Sequence, residues 1–463
     1  MERLKYGNLF QPEIKELIDN KKFGVLKEVF GEWQPADLAE LISDLPEDQQ
    51  SIVFRLLPKS LLADTFEYLD ITTQKELLTS LGKKEIAEIL NEMSPDDRTK
   101  LLEELPPGLV KQMLGFLSAE EMKVAQSLLG YPEQSIGRLM TPDYIAVKKD
   151  MTVSQVLAHI RRHGHDSETL SMIYVVDDAG KLVDDIKIRQ VLLSPPNRRI
   201  AKLMDYTSVS LRLADDQETA VFTFKKYGYY ALPVVDPDGI LIGIVTLDDV
   251  LRVAEKEVTE DMHKMGGMEA LEDPYLHVPL LRLARKRATW LVALFLGEMM
   301  TATAMGYFEG AIARAVVLAL FVPLIISSGG NSGSQASTLV IRAMAIGEIR
   351  LRDWWRVLRR EIGSGFLLGT VLAVIGFLRI AIWQQVFHLY GAYWMFVGVT
   401  VAITLIGVVM WGTLMGSMLP FLLKLLRADP ATSSAPFVAT LVDVSGIIIY
   451  FNVAFFVLKG VIL

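Results

Sequence analysis

The 463-residue chain contains no cysteine. Disulfides and thiolate metal sites are excluded, so any metal must be held by oxygen or by imidazole. Histidine is scarce, at six residues, and the pattern His-Glu-x-x-His does not occur. A zinc-dependent membrane hydrolase therefore lacks its ligand set. Residues 1–10 mix charges with isolated apolar side chains around no apolar core. No cleavable secretory signal is read there, and the large N-terminal part is expected to stay in the cytoplasm. No catalytic residue and no nucleic-acid partner are assigned.

What the chain has in quantity is apolar surface, with 51% hydrophobic residues. Charge is unevenly placed. From Tyr275 onward there are 15 Lys+Arg against 7 Asp+Glu, whereas the residues before it carry 32 against 48, a balance of −16. An acidic soluble part is followed by a basic membrane part. Within the latter, residues 323–338 read Pro-Leu-Ile-Ile-Ser-Ser-Gly-Gly-Asn-Ser-Gly-Ser-Gln-Ala-Ser-Thr. Loosened, polar backbone survives at membrane depth only where protein covers it or where it lines a watery cavity. Residues 315–347 are accordingly expected to be a broken membrane helix facing a polar path. Close helix packing explains the glycines alone, but not Asn331 together with Gln335.

Residues 1 to about 130 read as short amphipathic helices, with apolar spacing such as Leu38, Leu41, Ile42, Leu45. Leu45-Pro46-Glu47-Asp48-Gln49 with Leu57-Pro58 recurs as Ser94-Pro95-Asp96-Asp97-Arg98 with Leu105-Pro106-Pro107. Proline followed by acids is a helix start, so a small helical solenoid is expected. Two units of another period follow. Leu139-Met140-Thr141-Pro142 opens a helix at 152–163, a strand at 172–176 and the turn Asp177-Asp178-Ala179-Gly180. Leu203-Met204-Asp205 opens a helix at about 216–227, a strand at 231–235, the turn Asp236-Pro237-Asp238-Gly239 and a strand at 240–245. These halves resemble a pair of CBS domains, small regulatory modules that often bind adenine nucleotides. The second half matches well in Gly243-Ile244-Val245-Thr246-Leu247-Asp248-Asp249-Val250. Asp184-Asp185-Ile186-Lys187 replaces the Gly-Val-Ile of the first.

A charged helix at 250–264 comes next, with Glu257, Glu260 and Asp261 on one side. It would link the regulatory pair to the membrane part, and Gly266-Gly267 and Pro274 loosen the chain after it. Arg282, Arg285, Lys286 and Arg287 then stand before the first of five expected spans, at about 288–308, 315–347, 362–383, 394–423 and 435–458. Six arginines (342, 350, 352, 356, 359 and 360) lie between the second and third spans, and Lys424 and Arg427 between the fourth and fifth. The loop 384–393 has no Lys or Arg. The N-terminus is thus expected inside and the C-terminus outside, with Trp383, Tyr390, Tyr393 and Trp394 at the outer interface.

Acids inside the spans carry the chemistry. An ionised Asp443 facing lipid would cost about 3 kcal/mol or more, so it should face a pore. Glu298 is a second intramembrane acid, serving either transport or an ion pair with Arg379. Asp429, in Arg427-Ala428-Asp429-Pro430, either caps the last helix or lines the inner mouth.

Over its full length the chain resembles the MgtE family of magnesium channels. The most specific residues are Pro323, Gly329-Gly330-Asn331-Ser332-Gly333-Ser334-Gln335, Asp429-Pro430-Ala431 and Thr440-Leu441-Val442-Asp443-Val444-Ser445-Gly446. The resemblance implies a multi-domain membrane protein. It would comprise an all-α superhelical N domain (1–131), α/β tandem CBS domains (132–200 and 201–252), a connecting helix (253–276) and a five-helix transmembrane domain (277–463). It further implies a homodimer in the lipid of a bacterial plasma membrane, with a pore between the subunits. Asp443 would be the pore carboxylate, Ala439 a carbonyl contributor, and the backbone of Gly329, Gly330 and Asn331 would lie opposite. Ala435 stands where some members carry Asn, so no side-chain contact is transferred there.

Mg²⁺ suits such a path because it prefers six oxygens and sheds water reluctantly. Mn²⁺ or Co²⁺ could share it. The competing classes are a CBS-regulated membrane enzyme and an ion sensor without a pore. Asp96, Asp97, Asp248, Asp249, Glu257, Glu260 and Asp261 are expected to bind regulatory Mg²⁺ that closes the channel, since a divalent ion turns repulsion between acidic surfaces into attraction.

Overall fold

The computed structural model describes residues 6–271, 275–276 and 278–459; Pro274 lies outside them. The chain forms two compact units, Met1–Ala254 and Glu255–Leu463.

Among the described residues the first unit begins with ten short helices, from Tyr6–Asp19 to Ala119–Leu129. Prolines and acids start them where the repeat placed them: Glu47–Leu56 follows Pro46, and Pro95–Glu104 has Pro95 at its first position. Each helix is too short to bury its apolar stripe alone, and most pack on the helix two places along. Tyr6–Asp19 lies on Pro35–Ser43, that on Lys59–Tyr68, and that on Lys83–Glu92, while Phe23–Phe30, Glu47–Leu56 and Ile71–Ser80 make a second row. Leu26, Phe30, Leu38, Ile42, Phe54 and Phe66 fill the seam. Arg98 interrupts this core. Fully buried, it donates to the carbonyls of Leu90 (3.0 Å) and Met93 (3.4 Å) and pairs with Glu121.

Two three-stranded sheets follow: β1 (Ala146–Lys148), β2 (Met172–Val176) and β3 (Leu182–Lys187), then β4 (Leu211–Arg212), β5 (Ala231–Val235) and β6 (Leu241–Thr246). In both, the central strand is parallel to the first and antiparallel to the third. Thr152 caps the helix Val153–His163 in a capping box with Gln155, and Asp216 caps Gln217–Tyr227. The turns of the two halves meet, with Leu182 N–H bonded to Gly239 O and Leu241 N–H to Gly180 O. Asp184, the departure from the expected Gly-Val-Ile, is buried, and its carboxylate accepts the N–H groups of Asp185, Asp205 and Tyr206. It holds the junction of the halves together.

The connecting helix runs over Leu247–Met265, three residues longer at its start than the charge pattern indicated. Among the described residues five helices are long and apolar enough to cross a membrane: Leu280–Tyr307, Val316–Ala345, Leu351–Phe387, Trp394–Leu425 and Ala435–Leu458. The fourth is central, packed against the second, third and fifth, while the first rests on the fifth. The first begins at Leu280, so Arg282, Arg285, Lys286 and Arg287 lie in its opening turns rather than ahead of it.

The expected break in the second span is absent at the glycines. Residues Val322–Ala345 form one continuous α-helix, and the irregularity is a 3-10 segment, Val316–Phe321, before it. The reason is packing. A Cβ at Gly333 would stand 2.8 Å from Val438 and 2.9 Å from the carbonyl of Gly412, and one at Gly412 or Gly416 would collide with the carbonyl of Gly329 or Gly333. Two small-xxx-small pairs, Gly329/Gly333 and Gly412/Gly416, thus let the second and fourth helices touch backbone to backbone.

Candidate cation sites

In the membrane part the first site is built from the second and fifth helices. Ser334 Oγ donates to Ala435 O (3.0 Å) and Ser337 Oγ to Ser433 O (2.8 Å), which fixes the register between them. Gly330 then faces the fifth helix one turn above and at Asp443. A Cβ there would lie 3.4 Å from Ala439 Cβ and 3.5 Å from Asp443 Oδ1. Gly330, Ala439 and Asp443 are therefore together, as the family resemblance implied. Gly329 is not with them, because it faces Val408 and Val442 in the packing seam. Asn331 is exposed, donating to Ser327 Oγ at 3.3 Å.

Ser327, Asn331, Gln335, Thr338 and Arg342 repeat at helical spacing and are all exposed. A polar stripe along a membrane-crossing helix must meet water or other protein. Asp443 is only half-buried beside it. Glu298 is exposed and within electrostatic range of Asp443, with the preceding Gly297 against Thr440. Its expected pairing with Arg379 is absent. Arg379 instead lies over the rings of Trp383 and Phe321 and donates to Tyr390 Oη at 3.3 Å. Tyr390 is buried, with its ring against that of Phe321.

The second site closes the end of the connecting helix. Lys264 Nζ sits 2.6 Å from Glu260 Oε1, one turn back, and 2.6 Å from Asp429 Oδ2 in the link between the fourth and fifth helices. Asp429 Oδ1 accepts Ala431 N–H (2.8 Å), so it caps a 3-10 turn, Pro430–Thr432, and not the last helix, whose cap is Ser434. Asp261 is held above the usual carboxylate range by burial and by Asp429 and Glu260. Glu257 is half-buried one turn before them. The chain then turns at Gly267, whose φ of +71° favours glycine. It packs on Trp290 and Pro436, and Trp290 Nε1 donates to Ser434 Oγ at 3.2 Å.

The third site belongs to the first unit. Asp96 and Asp97 lie in the first turn of Pro95–Glu104, and Asp249 in the first turn of the connecting helix. One carboxylate oxygen from each lies within 4.8 Å of the others. Asp96 and Asp249 are buried, and Asp96 Oδ1 has no hydrogen-bond partner. Arg252 offsets part of the charge, meeting Asp97 at 3.2 Å and Asp249 more closely. Asp248 is exposed at the rim, 3.8 Å from Arg252. Burial, then Asp249 and Asp97, hold Asp96 well above the carboxylate range. Sequence reasoning missed Glu67, which burial and Asp97 push up to about 7 while it accepts Ser94 N–H at 2.7 Å. Hard oxygen ligands of this kind suit Mg²⁺ or Ca²⁺.

Comparisons with known proteins identify the domains. Residues 322–453 match the MgtE family described as a divalent cation transporter, residues 33–134 the MgtE intracellular N domain, and residues 136–193 and 200–256 the CBS domain. The magnesium transporter MgtE of Thermus thermophilus is 37% identical over 455 residues, covering 97% of this chain and 98% of that one. The Bacillus subtilis magnesium transporter MgtE is 30% identical over 440 residues, 95% of each. A crystal structure of the cytosolic domain of the Mg²⁺ channel MgtE in complex with ATP superposes with a TM-score of 0.51 at 35% identity, covering 52% of this chain and 99% of that one. With near-complete coverage by such relatives, and with five apolar helices behind a helical domain and a CBS pair, this multi-pass membrane protein belongs to the MgtE family.

Proposed function

We propose that the chain transports Mg²⁺ across the bacterial plasma membrane into the cytoplasm, driven by the membrane potential, with Asp443 as the residue that holds the ion. The observation that carries this reading is the half-buried Asp443 carboxylate facing Gly330, beside an exposed polar stripe on a membrane-crossing helix. Gly330 brings the backbone of the second helix close to the carboxylate, and Ala439 lies one turn away. A single carboxylate does not balance a divalent charge, so the path is completed by a second copy of the chain across a two-fold axis, each contributing one Asp443. The N-terminus is cytoplasmic and the C-terminus outside. Mn²⁺ and Co²⁺ would enter the same oxygen-lined path.

Regulation uses the acidic groups of the soluble part. Cytosolic Mg²⁺ at Asp96, Asp97 and Asp249, with Asp248 at the rim, and at Glu257, Glu260 and Asp261, closes the channel by neutralising carboxylates that otherwise repel. The CBS pair binds adenine nucleotide. Support comes from the ATP complex of the similar cytosolic domain.

The test is Mg²⁺ uptake into proteoliposomes by wild type and Asp443→Ala, with Mn²⁺ and Co²⁺ as competitors. Uptake should be lost in the variant while the oligomer persists. Wild-type flux through Asp443→Ala would remove the assignment.

A further inference from the structure

Arg379 stands in the third membrane helix, which ends at Phe387. Eight residues place it about 12 Å inside that end. Trp383, one turn closer to the end, and Tyr393 beyond it are residues of the kind that settle at headgroup level, so an extended arginine reaches that level by directing its guanidinium toward it. The side chain does so. It lies 5.2 Å from the centroid of Trp383 and 6.0 Å from that of Phe321, with one Nη1–H given to Tyr390 Oη. Aromatic faces and a neutral hydroxyl leave most of its five donors unused and its charge without a counter-ion. Among the described residues no carboxylate pairs with it.

Beside the guanidinium runs a groove of about 540 Å³, walled by Pro323 and by Leu320 and Leu324, which are 67% and 40% exposed, with Ser327 and Ser328 at its far end. We propose that this groove binds a membrane phospholipid, with the phosphate on Arg379 and one acyl chain along Leu320 and Leu324. Three features select that occupant. Phosphate presents paired oxygens to a planar guanidinium; the charged end lies near headgroup level; and the wall next to it, Leu320, Pro323 and Leu324, is apolar. The neighbouring loop, 384–393, contains no Lys or Arg, so Arg379 is the only lysine or arginine between Glu361 and Lys424 available to attract the phosphate.

The experiment uses the full chain in detergent, read by native mass spectrometry and by thermal unfolding. The probes are phosphatidylglycerol, the phosphate-free monogalactosyldiacylglycerol, and inorganic phosphate. Wild type should retain and be stabilised by phosphatidylglycerol but by neither of the others. Arg379→Met should weaken retention about ten- to a hundred-fold, as expected for one charge-assisted pair, Arg379→Lys less, and Tyr390→Phe only slightly. Three results would overturn the proposal. The first is unchanged retention in Arg379→Met. The second is equal protection by inorganic phosphate, which would make this a free-anion site. In the third, Arg379→Met dissociates the oligomer with lipid retention per chain unchanged, which would make the groove's occupant the second copy of the chain.

Discussion

Lys264 is an internal cation placed between two acids, and removing it should make the seating of the connecting helix depend on Mg²⁺. Its ammonium lies 2.6 Å from both Glu260 and Asp429, with side-chain exposures of 29%, 23% and 37%. Such partly solvated pairs contribute about 1 kcal/mol each, so Lys264→Met should lose about 2 kcal/mol, a roughly 30-fold rise in the unseated fraction. The two acids would then face each other uncompensated, which adds to the loss. The Lys264 pKa is raised above 10.5 by the hydrogen bonds and charges of Asp429 and Glu260, against the opposing effect of burial. The contribution is therefore present throughout neutral pH and is lost only as pH rises through that raised value. The cysteine-free chain allows spin labels on Met262→Cys and Leu426→Cys, both exposed positions. Without Mg²⁺, wild type should give a narrow distance distribution and Lys264→Met a broad one that Mg²⁺ narrows. Identical distributions in Mg²⁺-free buffer, or a broad one that Mg²⁺ leaves broad, would refute the counter-ion role.

Other substitutions test the packing and the acidic cluster. Gly416→Ala puts a Cβ into the carbonyl of Gly333 and should lower the unfolding midpoint through a loss of about 1–3 kcal/mol, whereas Gly363→Ala, with nothing within 4 Å, should not. Arg98→Met strands the carbonyls of Leu90 and Met93 and the carboxylate of Glu121; a loss of about 3 kcal/mol or more is expected in denaturant titrations. Glu67, raised from 4.5 to about 7, binds protons more tightly folded than unfolded. Stability should therefore fall as pH rises from about 4.5 through 7, less steeply in Glu67→Gln and less steeply with Mg²⁺ present, as melting curves at pH 6 and 8 would reveal.

Legibility in the sequence follows from how local each signal is. Strands at 172–176 and 231–235, and helix starts marked by Thr152 and Asp216, depend on neighbours a few residues away and appear where the pattern placed them. Asp443 stands out because an ionised carboxylate in an apolar span is costly unless it meets water or a partner. Glu67 is one acid among many on solvated helices, and only the fold brings it beside Asp97. The pairing expected of Glu298 rested on opposite charge alone, and Arg379 found aromatic partners in its place.

The glycine-rich run is the most instructive case, since packing and a polar path were set against each other as explanations of one stretch. The structure assigns them to different faces of an intact helix. Successive residues of a helix are turned by about 100°. Gly329 and Gly333 lock onto Gly412 and Gly416, and that contact fixes the rotation of the helix about its axis. Gly330, one residue on, is thereby turned to Asp443, and Asn331, one further, to the exposed polar stripe. A bulkier residue at 329 or 333 would push the second helix off the fourth and carry Gly330 away from the carboxylate. Close packing on one side is thus the condition for a polar surface on the other, and the same short run of residues has to supply both.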